Sequence, residues 1–323
     1  MRQRVADRQV LSTEVGGLRL RSAVMTASGT SGHGAELAAY GPLAELGAVV
    51  VKSLSADPWP GNDGMRVHGA AGGSMLNRVG LQGPGVAAWR ARDLPELLSH
   101  GATVVASIWG RTAAEFATAA EALLDGDGDG DGGGGAEAVV PGVAAVEVNV
   151  SCPNLSGHMF AHSEQGTAEA VGAAVGVLGR ADVPVWVKLS PSVPDICAIA
   201  AAALGSGASG LTLVNTMPAM WVDVAGDRAP FAGGLSGTAL HPVAVRCVHD
   251  CRRAFPDAPI VGVGGVASGT DAAELLMAGA DALQVGTATF ADPRAPWRVQ
   301  EELARWCVRR GTSVEELRGG ALH

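Results

Sequence analysis

Lysine is nearly absent from this chain. Of 23 basic residues in 323, only Lys52 and Lys188 are lysines, and arginine fills every other basic position. The two survivors mark places where a compact ammonium on a flexible stem cannot give way to a planar guanidinium. Positive charge is also short overall: a net charge of −9 and a pI near 5.3 argue against nucleic acid or an anionic membrane as a partner. No run of about twenty residues is apolar without Gly, Ser or charge, so no membrane span is expected. Met1 to Gln9 is polar and charged and does not read as a signal peptide, which leaves a soluble, cytoplasmic protein as the expectation. Five cysteines, odd in number and widely spaced, give neither a disulfide framework nor the clustered thiolates of an iron–sulfur centre. Cys247 and Cys251 lie four apart with His249 between them. On a helix the two thiols share a face and His249 points elsewhere, so no metal site is expected there. Cys197 and Cys307 read as small buried apolar residues.

The chain repeats one unit: a short apolar strand, a polar or glycine-rich junction, then an amphipathic Ala/Leu-rich stretch. Strands are expected at Ala23–Ala27, Ala48–Lys52, Thr103–Ile108, Ala145–Val150, Val185–Leu189, Gly210–Val214, Ile260–Val263 and Ala282–Val285. Helical patterns fall between them, among them Ala113–Leu124, Ala168–Leu178, Pro194–Ala203, Pro242–Arg253 and Gly269–Ala278. This alternation predicts a (β/α)8 TIM barrel as a single domain over residues 1–323. The open doubly wound sheet is second, because the early G-x-G-x-x-G it wants is missing. Ala56 to Ala87, rich in Gly, Pro and Asn, reads as a long active-site lid loop. Asp125 to Gly135 is a low-complexity Asp/Gly run, expected to be a flexible loop. It mimics the start of a calcium loop, but Ala136 stands where the bidentate Glu belongs.

Residues with chemistry gather where the expected strands end, the end at which such barrels carry their sites. Ser28, Lys52, Ser53, Lys188, Asn215 and Thr216 each follow an apolar run directly. Asn149 to Asn154, N-V-S-C-P-N, crowds two carboxamides, a hydroxyl and the Cys152 thiol into six residues after a strand. Such a set can hold a flat, hydrogen-bonding ligand and move a proton on it. Gly264-Gly265 and Gly286-Thr287 follow the last two strands, where glycine backbone can approach a phosphate. Lys188 can hold the anionic edge of a reduced flavin ring. In the lid stretch, Asn77 is followed by Val79, Gly80 and Leu81, whose N–H groups can meet a carboxylate.

Taken together in order, these motifs resemble the class 1 dihydroorotate dehydrogenases, most closely the 1B branch. The resemblance runs from about Val15 to Pro293. It covers A-S-G-T at Ala27–Thr30, V-V-V-K-S at Val49–Ser53, the Gly72–Gly85 stretch, N-V-S-C-P-N, Val187-Lys188, V-N-T at Val214–Thr216, G-G-L-S-G at Gly233–Gly237, G-V-G-G at Gly262–Gly265 and Q-V-G-T at Gln284–Thr287. It implies oxidation of dihydroorotate to orotate in pyrimidine synthesis, with Cys152 as the base that takes the C5 proton while hydride leaves C6 for FMN. It further implies Lys52, Asn77, Val79, Gly80, Leu81, Asn149, Asn154, Asn215 and Thr216 at the substrate. Ser28, Lys52, Ser53, Ser107, Asn149, Lys188, Val214, Gly237, Gly264, Gly265, Gly286 and Thr287 are implied at FMN. Ser107 stands where the 1B family often has asparagine, and Gly83 also replaces an asparagine. Arg78 is unusual beside the substrate loop. The 1B branch implies a partner subunit carrying FAD and an iron–sulfur cluster that passes electrons to NAD, and a homodimeric core. On the residues alone, a related dihydropyrimidine-type oxidoreductase and a flavin-free phosphate-binding lyase or isomerase stay open.

Overall fold

The computed structural model describes residues 9–124, 140–151, 160–181 and 183–322. The Asp125–Gly135 run lies outside them, as does its expected flexibility. Eight parallel strands form the central sheet: β1 (Val24–Thr26), β2 (Val49–Val50), β3 (Val104–Ile108), β4 (Ala145–Asn149), β5 (Val185–Leu189), β6 (Gly210–Leu213), β7 (Ile260–Val263) and β8 (Ala282–Val285). They run in the order β1-β8-β7-β6-β5-β4-β3-β2. The two ends meet without a regular ladder. Gly47 N–H donates to the Val24 carbonyl at 2.8 Å, and Val50 N–H to Thr26 Oγ1 at 3.0 Å. This closes the barrel, and the open-sheet alternative falls away. All eight expected strands are present, within two residues at each edge.

Helices α1 (Val86–Ser99), α2 (Ala113–Leu124), α3 (Glu164–Leu178), α4 (Ile196–Gly205), α5 (His241–Ala254), α6 (Gly269–Ala278) and α7 (Ala295–Arg310) surround the sheet. Their starts carry local chemistry. Asp195 accepts from Cys197 and Ala198 N–H ahead of α4, and Ser268 with Asp271 makes a reciprocal capping box ahead of α6. Every β4 residue is buried, although Ala-Val-Glu-Val-Asn alternates in polarity. In a closed barrel the apolar face of such a strand meets the helices and the polar face fills the interior. Trp186, on the inward face of β5, is fully buried. The hairpin Thr13–Val15/Leu18–Leu20 covers the N-terminal end, turning at Gly16 and Gly17 in left-handed backbone, with Thr13 Oγ1 donating to the Asp281 carbonyl at 2.8 Å. Cys247, Cys251 and Cys307 are buried free thiols, and burial raises all three, Cys247 and Cys307 to about 11. Among the described residues no group of three or more His, Cys, Asp or Glu could hold a metal ion, and no helix is long and apolar enough to cross a membrane.

The lid expectation needs correction. Ala56–Ala87 contains two strands, Val67–Ala70 and Ser74–Asn77, and the start of α1. The strands join Met217–Trp221 and Phe231–Gly237 in a four-stranded antiparallel sheet in which Ser74 pairs with Gly237 and Asn77 with Gly234. This sheet stands over the C-terminal end of the barrel. The reason is long-range pairing: backbone that is glycine-rich and loop-like in sequence finds its hydrogen-bond partners across the molecule.

Candidate active site

The C-terminal ends of β1 to β4 and of β6 bring one hydroxyl–carboxamide network together. Asn149, at the end of β4, donates from Nδ2 to Ser53 Oγ at 3.1 Å. Ser53 Oγ lies 2.9 Å from Ser107 Oγ and 3.2 Å from Ser28 Oγ. Asn215 Nδ2 donates to Ser151 Oγ at 2.6 Å and to Asn149 Oδ1 at 3.2 Å, and Thr216 N–H donates to Asn215 Oδ1 at 2.8 Å. Ser28, Ser53, Ser107, Asn149, Asn215 and Thr216, read separately from sequence, are therefore one assembly. All these groups are neutral. Their donors and acceptors suit the lactam and imide edges of a planar heterocycle.

The two lysines flank this network. Lys188 is 5% exposed at the end of β5, with Nζ 3.7 Å from Glu147 Oε1. Lys52 follows β2, and its Nζ donates to the Gln82 carbonyl, which sets it against the Asn77–Gly83 turn. Burial, with Arg66 adding repulsion, lowers the Lys52 pKa from 10.5 to about 8. In that turn Leu81 is the one described non-glycine residue with positive φ, at 61°, beside Gly80 at 75°. Trp59 Nε1 holds the Gly80 carbonyl at 3.0 Å, and Asn62 N–H holds that of Val79 at 3.0 Å. Asn77 Nδ2 lies 3.4 Å from the Gly234 carbonyl.

The glycine turns converge on the far side of the mouth. Gly264 and Gly265 follow β7 with φ of 142° and 68°. A Cβ on Gly265 would lie 2.7 Å from the Gly237 carbonyl, so these two turns touch backbone to backbone. His241 Nδ1 sits 2.8 Å from the Gly264 carbonyl, and its Nε2 lies 3.0 Å from Glu274. Gly286, after β8, abuts Ala27, where a Cβ would meet the alanine Cβ at 3.2 Å. Thr287 heads the short helix Ala288–Ala291, and Val214 N–H donates to the Val263 carbonyl at 2.7 Å. Cys152 and Asn154 lie outside the described residues.

Several contributors escape a reading by sequence. Glu147 and Gln284 are fully buried inside the barrel. Gln284 Nε2 donates to Glu147 Oε2 at 2.8 Å, linking β8 to β4 across the interior. The signal for Glu147 was a lone acid on a strand whose polar face is the barrel interior. Ser151, whose hydroxyl the motif already offered, joins the network by accepting from Asn215 Nδ2. His33 crowds position 83: a Cβ there would lie 3.2 Å from His33 Nε2, a buried nitrogen with no partner among the described residues.

Sequence comparison gives this arrangement its family. Residues 10–306 match the family description "Dihydroorotate dehydrogenase". A relative from Geobacter metallireducens, named dihydroorotate dehydrogenase B (NAD(+)), catalytic subunit, is 41% identical over 315 residues, covering 96% of this chain and 97% of its own. One of the same name from Desulforudis audaxviator is 42% identical over 313 residues, covering 95% and 96%. The crystal structure of an Eimeria tenella dihydroorotate dehydrogenase in complex with ferulenol superposes with a TM-score of 0.76. It shares 23% identity and covers 98% of this chain and 89% of that one, a likeness of fold. With the barrel, the serine–asparagine network and nearly full-length identity in agreement, the chain belongs to the dihydroorotate dehydrogenase family.

Proposed function

We propose that this protein oxidises dihydroorotate to orotate in pyrimidine biosynthesis, with FMN as its cofactor and Cys152 as its base. The observation that carries the reading is the neutral network of Ser53, Ser107, Asn149, Ser151 and Asn215, held between two lysines. The residues present fit FMN. The glycine turns at Gly264–Gly265 and Gly286, with Gly237 packed against Gly265, present backbone without side chains after the last two strands, as close approach of a phosphate requires. The Lys188 ammonium, at the end of β5 beside Glu147, suits the ring edge that gains negative charge on reduction. Bound there, FMN supplies the acceptor for the hydride that leaves substrate C6.

The chain's own residues do the rest. Asn77, Asn149, Asn154, Asn215 and Thr216 pair with the amide groups of the pyrimidine ring. Lys52 and the N–H groups of Val79 to Leu81 receive the carboxylate. Cys152 takes the C5 proton, which requires thiolate character that a nearby cation favours. The antiparallel sheet over the mouth limits water around the reacting carbons.

Electrons then leave through a partner subunit carrying FAD and an iron–sulfur cluster toward NAD. Support comes from the "catalytic subunit" and "NAD(+)" in the relatives' names and from cysteine spacing that offers no cluster site in this chain. A homodimeric core and a cytoplasmic setting belong to the same proposal, the free thiols suiting a reducing compartment.

The test is the anaerobic visible spectrum of the purified protein before and after dihydroorotate. A flavin band that bleaches supports the reading; a band that persists removes the substrate; no flavin after reconstitution with FMN removes the cofactor. Cys152→Ser should retain FMN and bleach at least a hundredfold more slowly, and bleaching at the wild-type rate would reject Cys152 as base.

A further inference from the structure

A carboxylate sealed in the barrel beneath Lys188 has no part in the chemistry above. Glu147 is fully buried, and both its oxygens are committed. Oε2 accepts from Gln284 Nε2 at 2.8 Å, while Oε1 lies 3.5 Å from Ser107 Oγ and 3.7 Å from Lys188 Nζ. An amide and a hydroxyl donate to it and an ammonium lies close by, so the carboxylate oxygens face donors and positive charge. The register fixes its depth. Asn149 pairs with Lys188 and Glu147 with Trp186, which puts Glu147 one inward step, roughly 6.6 Å of strand, below the lysine. Lys188 and Asn149 share one level of the barrel, one inward step nearer the mouth than the level of Glu147 and Ser107. At 3.7 Å the lysine is held by charge and not by a hydrogen bond, and among the described residues no hydrogen bond takes its N–H donors.

We propose that Glu147 is a positioning residue: it holds Lys188 and offsets its charge, and so sets the reduction potential of the flavin that Lys188 faces. This inference rests on the FMN reading above. Reduction adds negative charge to the ring. A lysine without its counter-anion stabilises that charge more strongly, because low-dielectric surroundings screen little. With Glu147 in place the reduced cofactor is less favoured and passes its electrons on more readily. Gln284 and Ser107 grip the carboxylate from β8 and β3, so it cannot follow the lysine upward.

The experiment is a reductive titration of FMN-loaded wild type and Glu147→Gln against redox dyes. The expected result is a midpoint more positive in the variant by at least tenfold in the two-electron equilibrium, about 30 mV. Glu147→Asp, which restores the charge, should recover most of the shift. An unchanged or more negative midpoint in flavin-loaded Glu147→Gln overturns the proposal, and so does Glu147→Asp behaving as Glu147→Gln does. If Glu147→Gln does not fold, the wild type decides by infrared difference spectroscopy. A carboxylate stretch that moves on flavin reduction supports the proposal, and a difference spectrum without one overturns it. Wild type that takes up no FMN fails the cofactor reading itself, an outcome distinct from FMN bound with an insensitive potential.

Discussion

Lys52 enters the site with a proton that burial makes easier to lose. With its pKa near 8, the ammonium predominates at neutral pH and is lost as pH rises through that value. A bound carboxylate favours the charged form and pulls the titration back up, so the loss appears in the free enzyme. The KM for dihydroorotate should therefore be flat at neutral pH and rise above pH ~8, toward tenfold per unit, with kcat changing less. Steady-state profiles of wild type and Lys52→Met check this, because the variant should show a high KM without that inflection. Both lysines are legible in sequence, since composition singles them out. Glu147 is not: an acid alternating with valines looks like a solvated face until the barrel closes around it. His33 is equally hidden, because its relation to Gly83 exists only through space.

The eight strands and the helices Ala113–Leu124 and Gly269–Ala278 were legible as elements, because each is a continuous apolar or amphipathic run between strong breakers. The antiparallel sheet was not. Phe231–Gly237 carries three glycines and Ser74–Asn77 only four residues, and neither shows a pattern until the other is laid beside it. Helix α1 was hidden too, with Pro95 inside it. The glycines explain the sheet's close fit. A Cβ on Gly234 would collide with the Thr216 side chain, and one on Gly233 would lie 2.5 Å from the Asn77 carbonyl. Gly234→Ala should thus displace Thr216 and lower kcat/KM roughly ten- to a hundredfold. FMN content measured by absorbance should not change, since no glycine of the phosphate turn is touched.

On the scale of the whole molecule, stability and activity are placed at opposite ends of the barrel. At the N-terminal end Asp281, 3% exposed, accepts from Arg252 at 2.8 Å, from Arg318 at 2.6 Å and from Ile260 N–H at 2.7 Å. It joins α5, β7, β8 and the C-terminal segment. Asp281→Ala leaves the buried Arg252 without its counter-ion, holding only the Gly279 and Pro256 carbonyls, and should cost about 3–5 kcal/mol in denaturant unfolding, with the flavin spectrum unchanged. The barrel itself was legible because a repeated strand–helix unit permits few closed arrangements. Its seam was not, and the seam has a further consequence. β1 is laddered only to β8, near the opposite end of the chain, and meets β2 through a few isolated bonds. During synthesis the first strand therefore waits, one edge bare, until nearly the entire polypeptide has left the ribosome. A fragment ending between Val263 and Ala282 presents two unpaired edges, on Val24–Thr26 and Ile260–Val263, each a template for joining another chain.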